Sequence, residues 1–166
     1  ILGPLTNKDA KVLAQTICPE SIRTVHQLEQ SGNSILYRVE SVSDTRYALK
    51  CYPALILDSR PRLKVEVMAL ELLDQYELTP RVVNHNQDLN IALFDWIDGK
   101  TPELITKSHI SQALHFIQKL KNHGEKNCSD LPLASEACLS ANELFTQVET
   151  RIIDLKTTNN SAVVNF

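Results

Sequence analysis

With 166 residues, 43% of them apolar, and a net charge of −3, the chain is long enough for one core or two small ones. That charge gives no electrostatic case for nucleic acid or an anionic membrane as a partner, and no uninterrupted apolar run approaches the ~20 residues of a membrane-spanning helix. Cys18, Cys51, Cys128 and Cys138 form no CxxC pair, so reduced thiols and a cytoplasmic setting are expected.

In chain order, Leu5, Ala10, Val12, Leu13 and Ile17 are spaced for an amphipathic helix that Thr6 or Asn7 could cap. Residues 1–20 are therefore read as a helical extension. The texture then changes to three short strands, Thr24–Leu28, Ser34–Val39 and Arg46–Lys50. They are separated by Gln30-Ser31-Gly32-Asn33 and Ser41-Val42-Ser43-Asp44-Thr45, both rich in turn formers. A helix follows from Pro61 to Tyr76, with Leu63, Val67, Leu70 and Leu73 along one face and Thr79-Pro80 ending it. Val82-Val83-Asn84 and Ile91-Ala92-Leu93-Phe94 predict two more strands around the turn at Asn86-Gln87-Asp88. Beyond Gly99 the periodicity is helical only. Ile110, Ala113, Leu114, Ile117 and Leu120 mark one helix; Leu144, Phe145, Val148, Ile152 and Leu155 mark another. Asn122–Pro132 reads as a polar linker between them. Five strands interrupted by one helix, then helices, predict an α+β lobe over residues 21–98 joined to a helical segment over 99–166.

Lys50 is the residue that calls for chemistry. An ammonium at the end of a buried strand is costly unless an anion meets it. Glu66, at the edge of the apolar face of the next helix, is one candidate anion, and a phosphate is another. Ala48 shares the lysine's side of the strand because side chains alternate, and its small size leaves room for a flat group. Upstream, Gly32 to Val39 occupies the frame of a phosphate-covering loop, G-x-G-x-x-G-x-V, of which the first glycine and the valine are present. A turn there lets backbone N–H groups approach phosphate oxygens, and Ser34 could add a hydroxyl. Downstream, Leu93-Phe94-Asp95-Trp96-Ile97-Asp98-Gly99 is an apolar strand running into a connector.

Taken together, these residues resemble the aminoglycoside phosphotransferase and choline kinase-like family. The resemblance runs from about Thr24 to Asn122. It is carried by Ser31-Gly32-Asn33-Ser34, Tyr37-Arg38-Val39, Ala48-Leu49-Lys50-Cys51-Tyr52-Pro53, Glu66 with Leu72-Leu73, Thr79-Pro80-Arg81-Val82, and the connector. It implies a protein-kinase-like fold and transfer of the γ-phosphoryl of ATP or GTP to a hydroxyl of a small molecule. Gly32, Asn33, Ser34 and Val39 would then cover the phosphates, and Lys50, fixed by Glu66, would hold them. Ala48 and Phe94 would shape the base pocket. The Asp95 carbonyl and Ile97 amide would read the base edge.

The same family keeps its catalytic His-Gly-Asp-x-His-x-x-x-Asn motif and metal-binding Asp in a second lobe, and neither pattern is present. His123-Gly124-Glu125 and Ile152-Ile153-Asp154-Leu155 imitate them. However, Leu131 stands where the asparagine should be, and Asp154 falls in a helical run. Magnesium would therefore be held by residues outside this chain. The chain opens at Ile1 and closes on the apolar Ala162–Phe166. The expectation is the front half of a longer small-molecule kinase, inactive alone, with an exposed helical face that predicts a partner surface or poor solubility. The alternative is a non-catalytic, pseudokinase-like module whose helical tail docks a protein. The acceptor, the choice of ATP or GTP, and the oligomeric state are not legible.

Overall fold

Short segments rich in β-formers recur between Ile22 and Asp95, alternating in β3 and continuously apolar in β5, and a computed structural model gathers five of them into one sheet. The structure describes residues 5–28, 34–54, 60–77, 79–127, 131–132 and 140–157. The elements are α1 (Asn7–Gln15), β1 (Ile22–Gln27), β2 (Ile35–Ser41), β3 (Arg46–Cys51), α2 (Arg62–Asp74), β4 (Val82–Asn86), β5 (Ile91–Asp95), α3 (Lys107–Asn127) and α4 (Ala141–Thr157). Two compact units divide the chain, Ile1–Pro132 and Leu133–Phe166. The architecture is α+β: a five-stranded antiparallel sheet with a helix inserted between β3 and β4, then helices.

Of the two candidate caps for α1, Thr6 does the work. Its hydroxyl oxygen accepts from the Asp9 N–H, and the Asp9 carboxylate accepts in return from the Thr6 N–H. This reciprocal box stabilises a helix by about 1 kcal/mol. Ala10 and Ala14 are the helix residues that bury completely, while Val12, counted on the apolar face from the sequence, is 64% exposed.

The sheet order is β1-β2-β3-β5-β4, antiparallel throughout. Two tight turns set its register. Asp44 closes the β2–β3 turn and Asn90 the β4–β5 turn, both at positive φ, a conformation short polar side chains tolerate better than most. Because side chains alternate, β3, β4 and β5 serve two cores, one on each face of the sheet, while β1 and β2 serve one. Val25, Tyr37, Val39, Tyr47, Leu49, Ile91 and Leu93 face α1. Ala92 and Phe94 face the other way and pack with Tyr52 and with Leu63 and Val67 of α2, against which Ala48 and Val82 also rest.

Helix α3 runs to Asn127, so residues 122–127, read from the sequence as linker, are helix. Polar residues such as Lys121 and Asn122 carry no apolar period, but an exposed helix does not need one. Ile110, Leu114 and Ile117 of α3 are more than half exposed, as are Leu144, Phe145 and Ile153 of α4. Among the described residues no helix is long and apolar enough to cross a membrane.

Candidate functional site

Strand β3 builds the site on one of its faces. Tyr47, Leu49 and Cys51 are buried toward α1, which leaves Arg46, Ala48 and Lys50 on the α2 side. Ala48 lies directly across from Phe94 of β5 and from Arg38 of β2, and Lys50 from Ala92 and Leu36. The small Ala48 beside the buried Phe94 ring makes a low, apolar floor.

Lys50 meets Glu66 from α2. Its Nζ donates to Oε1 at 2.8 Å and to Oε2 at 2.6 Å, and the two side chains are 23% and 35% exposed. An ion pair so open contributes at most about 1 kcal/mol to stability. Burying Leu63 or Val67 contributes about 1.5–3 kcal/mol each, so apolar contact, not the ion pair, holds α2 on the sheet. The pair is better placed to fix the lysine. An ammonium has three donors; two are spent on Glu66 and the third has no hydrogen-bond partner among the described residues.

Tyr52 adds a second restraint that the sequence reading quoted without giving it a role. Its ring lies under the ammonium, with Nζ 5.1 Å from the centroid, within the range of a cation–π contact. The Tyr52 hydroxyl is buried, and the nearby Glu66 carboxylate acts on it, short of a well-formed hydrogen bond. Burial foremost, and then the negative Glu66, push its pKa up, so it stays neutral.

The connector leaves β5 at Asp95. The Asp95 N–H donates to the Arg81 carbonyl at 3.0 Å, and its carboxylate accepts from Arg81 Nε at 2.9 Å. Three residues on, the Asp98 carboxylate is gripped by both terminal nitrogens of Arg46, at 2.8 and 2.5 Å, and accepts from Trp96 Nε1 at 3.1 Å. These contacts, Arg46 foremost, hold the Asp98 carboxyl below its ordinary pKa. Ile97 stands between the two anchors with its side chain 62% exposed. Arg46 was legible in principle, since it shares the parity of Ala48 and Lys50.

The structure thus brings Ala48, Lys50, Glu66 and Phe94 onto one face, with Asp95 and Ile97 at its edge. Ser34 lies just before β2, two residues from the cross-strand partner of Lys50. Gly32 and Asn33 lie outside the described residues. Val39 is corrected. It pairs with Tyr47, is fully buried toward α1, and so lies on the far side of the sheet from Lys50. The β2 residues on the Lys50 side are Leu36, Arg38 and Glu40, with Arg38 Nε 3.3 Å from the Glu40 carboxylate. The imitation motif His123-Gly124-Glu125 lies within α3, and Asp154 within α4. Among the described residues no group of three His, Cys, Asp or Glu side chains could hold a metal ion.

A separate depression on the flank of the connector is bordered by Asp74, Glu77 and Asp95 around Arg81. With three carboxylates to one cation it repels phosphates, which sets it apart from the Lys50 face.

No family model and no curated protein matches the chain. Among solved structures it is similar to a candidate fructosamine-3-kinase from Thermobifida fusca YX-ER1, with 21% identity over 59% of this chain and 34% of that one, at a TM-score of 0.48. It is also similar to spectinomycin phosphotransferase in complex with ADP and spectinomycin, with 15% identity over 92% of this chain and 56% of that one, at a TM-score of 0.43. The chain spans about a third of the first and just over half of the second.

Proposed function

We propose that the sheet and α2 form the nucleotide-binding lobe of a protein-kinase-like phosphotransferase, and that the whole enzyme moves the γ-phosphoryl of ATP or GTP to a hydroxyl of a small molecule. The observation that carries the reading is the Lys50–Glu66 pair, placed on the same sheet face as Ala48 and Phe94 and beside the connector. A strand lysine held by a helix carboxylate is the arrangement that protein-kinase-like enzymes use for orienting phosphates.

In this reading Ala48, Phe94 and Leu36 enclose the base, and Arg38 borders it in the place first assigned to Val39. The Asp95 carbonyl and Ile97 amide take the base edge through the backbone. The remaining Lys50 donor meets a phosphate oxygen, with Glu66 and Tyr52 holding the ammonium in place. Magnesium would neutralise charge on the transferring phosphoryl. Neither its ligands nor the base that orients the acceptor hydroxyl is assigned to this chain. A cytoplasmic setting accords with the free thiols of Cys18 and Cys51.

The test is calorimetric titration of the full chain with MgATP and MgGTP. Binding of either is expected, and Lys50→Ala should weaken it by roughly tenfold, the worth of one charge-assisted hydrogen bond. Glu66→Gln should weaken it less, because the amide still offers an oxygen to Lys50. No product should form from MgATP and a hydroxyl acceptor. Absence of binding to both nucleotides would sink the reading.

A further inference from the structure

We propose that Arg46, Asp98 and Trp96 form a clamp that sets the position of the connector over the sheet, making Arg46 and Asp98 positioning residues for the base half of the ligand. The inference rests on the nucleotide reading of the Lys50 face and deepens it.

The connector emerges from the last β3–β5 pair, Tyr47 with Asp95, and beyond that pair no ladder holds it. A backbone that reads a base edge must stand within a few tenths of an ångström of its place, since N–H···O contacts weaken steeply outside about 2.7–3.2 Å. Something other than the sheet must supply that constraint. Arg46 and Asp98 supply it, because a planar guanidinium meeting a carboxylate through two parallel bonds fixes angle as well as distance. Trp96 Nε1 donates to the same Asp98 oxygen that Arg46 Nη1 reaches, so the three side chains lock one short arc of chain with Ile97 at its middle. Arg46 is also the residue that β3 places two positions before Ala48 on the site face. One strand therefore carries the connector anchor, the base floor and the phosphate lysine in succession.

This arrangement divides the ligand. The clamp governs the base end and Lys50 the phosphate end, and the two can be weighed separately with adenosine and magnesium tripolyphosphate as probes. In the full chain, Arg46→Ala and Asp98→Asn are each expected to weaken adenosine up to about fivefold, the upper range for an open ion pair. Tripolyphosphate affinity should not change. The double variant should be no worse than either single one, Arg46→Lys should recover only part of the loss, and Lys50→Ala should show the reverse pattern. Trp96, the only tryptophan, gives a readout without ligand: its emission should shift in Asp98→Asn. Adenosine affinity unchanged in Arg46→Ala, or tripolyphosphate weakened equally, overturns the clamp. A wild-type chain that binds neither probe overturns the nucleotide reading, and the clamp's role with it.

Discussion

Glu20 receives hydroxyls from three directions where the chain leaves α1. Ser43, Thr45 and Tyr47 all donate to its carboxylate, Tyr47 at 2.6 Å. These bonds, that from Ser43 foremost, lower its pKa from 4.5 to about 2. The unfolded chain therefore takes up the proton first as pH falls. The stabilisation is whole above about 4.5 and lost on the way down to about 2. Urea midpoints measured across that interval should fall more steeply for the native protein than for Glu20→Gln. Parallel slopes would show that the hydroxyls do not favour the charged form. The same carboxylate, after burial, raises the Tyr47 phenol to about 12. Burial also raises the Cys51 thiol to about 11, which makes it a core residue and an unreactive one.

At the scale of elements, what the sequence disclosed follows what a one-dimensional pattern can carry. Strand β3 and helix α2 announced themselves, because burial on one face imposes a period. The partnership of Lys50 with Glu66 was legible as well, since a charge at a buried strand end limits its company. The face occupied by Val39 was not. Aligning it to a glycine-loop frame ignores parity, and counting outward from the β2–β3 turn would have paired it with Tyr47. The reach of α3 past Lys121 was hidden for the opposite reason, as exposed helix carries no signature. Asp98 was in plain view but without a role, because its partner Arg46 lies 52 positions away. Helix α2 also ends under strain that sequence alone would not reveal. Glu77, just past its last turn, sits at φ 53, where a glycine is at ease. Glu77→Gly is expected to raise stability by about 0.5–1 kcal/mol, measurable by denaturant unfolding. A loss would mean that the Glu77 side chain makes a contact worth more than the strain.

At the scale of the whole molecule, the sheet separates the core beneath α1 from the face that carries Lys50 and the smaller core with α2, and neighbouring residues of β3 can test whether that second face also binds a nucleotide, as proposed. Leu49→Ala opens a cavity in the core beneath α1 and should cost about 2–5 kcal/mol while leaving nucleotide affinity nearly unchanged in the folded fraction. Ala48→Leu should do the reverse, filling the proposed base floor beside Phe94 with a modest cost in stability. Thermal unfolding and titration on the same samples would check both. If Ala48→Leu binds as the native chain does, the base does not lie over Ala48.

The alternation of β3 also bears on which kinds of genetic change the chain can absorb. Substitutions between Arg46 and Cys51 act on one face at a time, as just described. Inserting or deleting a single codon there would act on both at once. The residues beyond the lesion would exchange places, sending Lys50 toward α1 and Leu49 or Cys51 into the open. The strand therefore tolerates length changes only in steps of two. The turns at Val42–Thr45 and Gln87–Asn90 give no refuge from this rule, because they set the register of the strands they join, and Ser43 and Thr45 also hold Glu20.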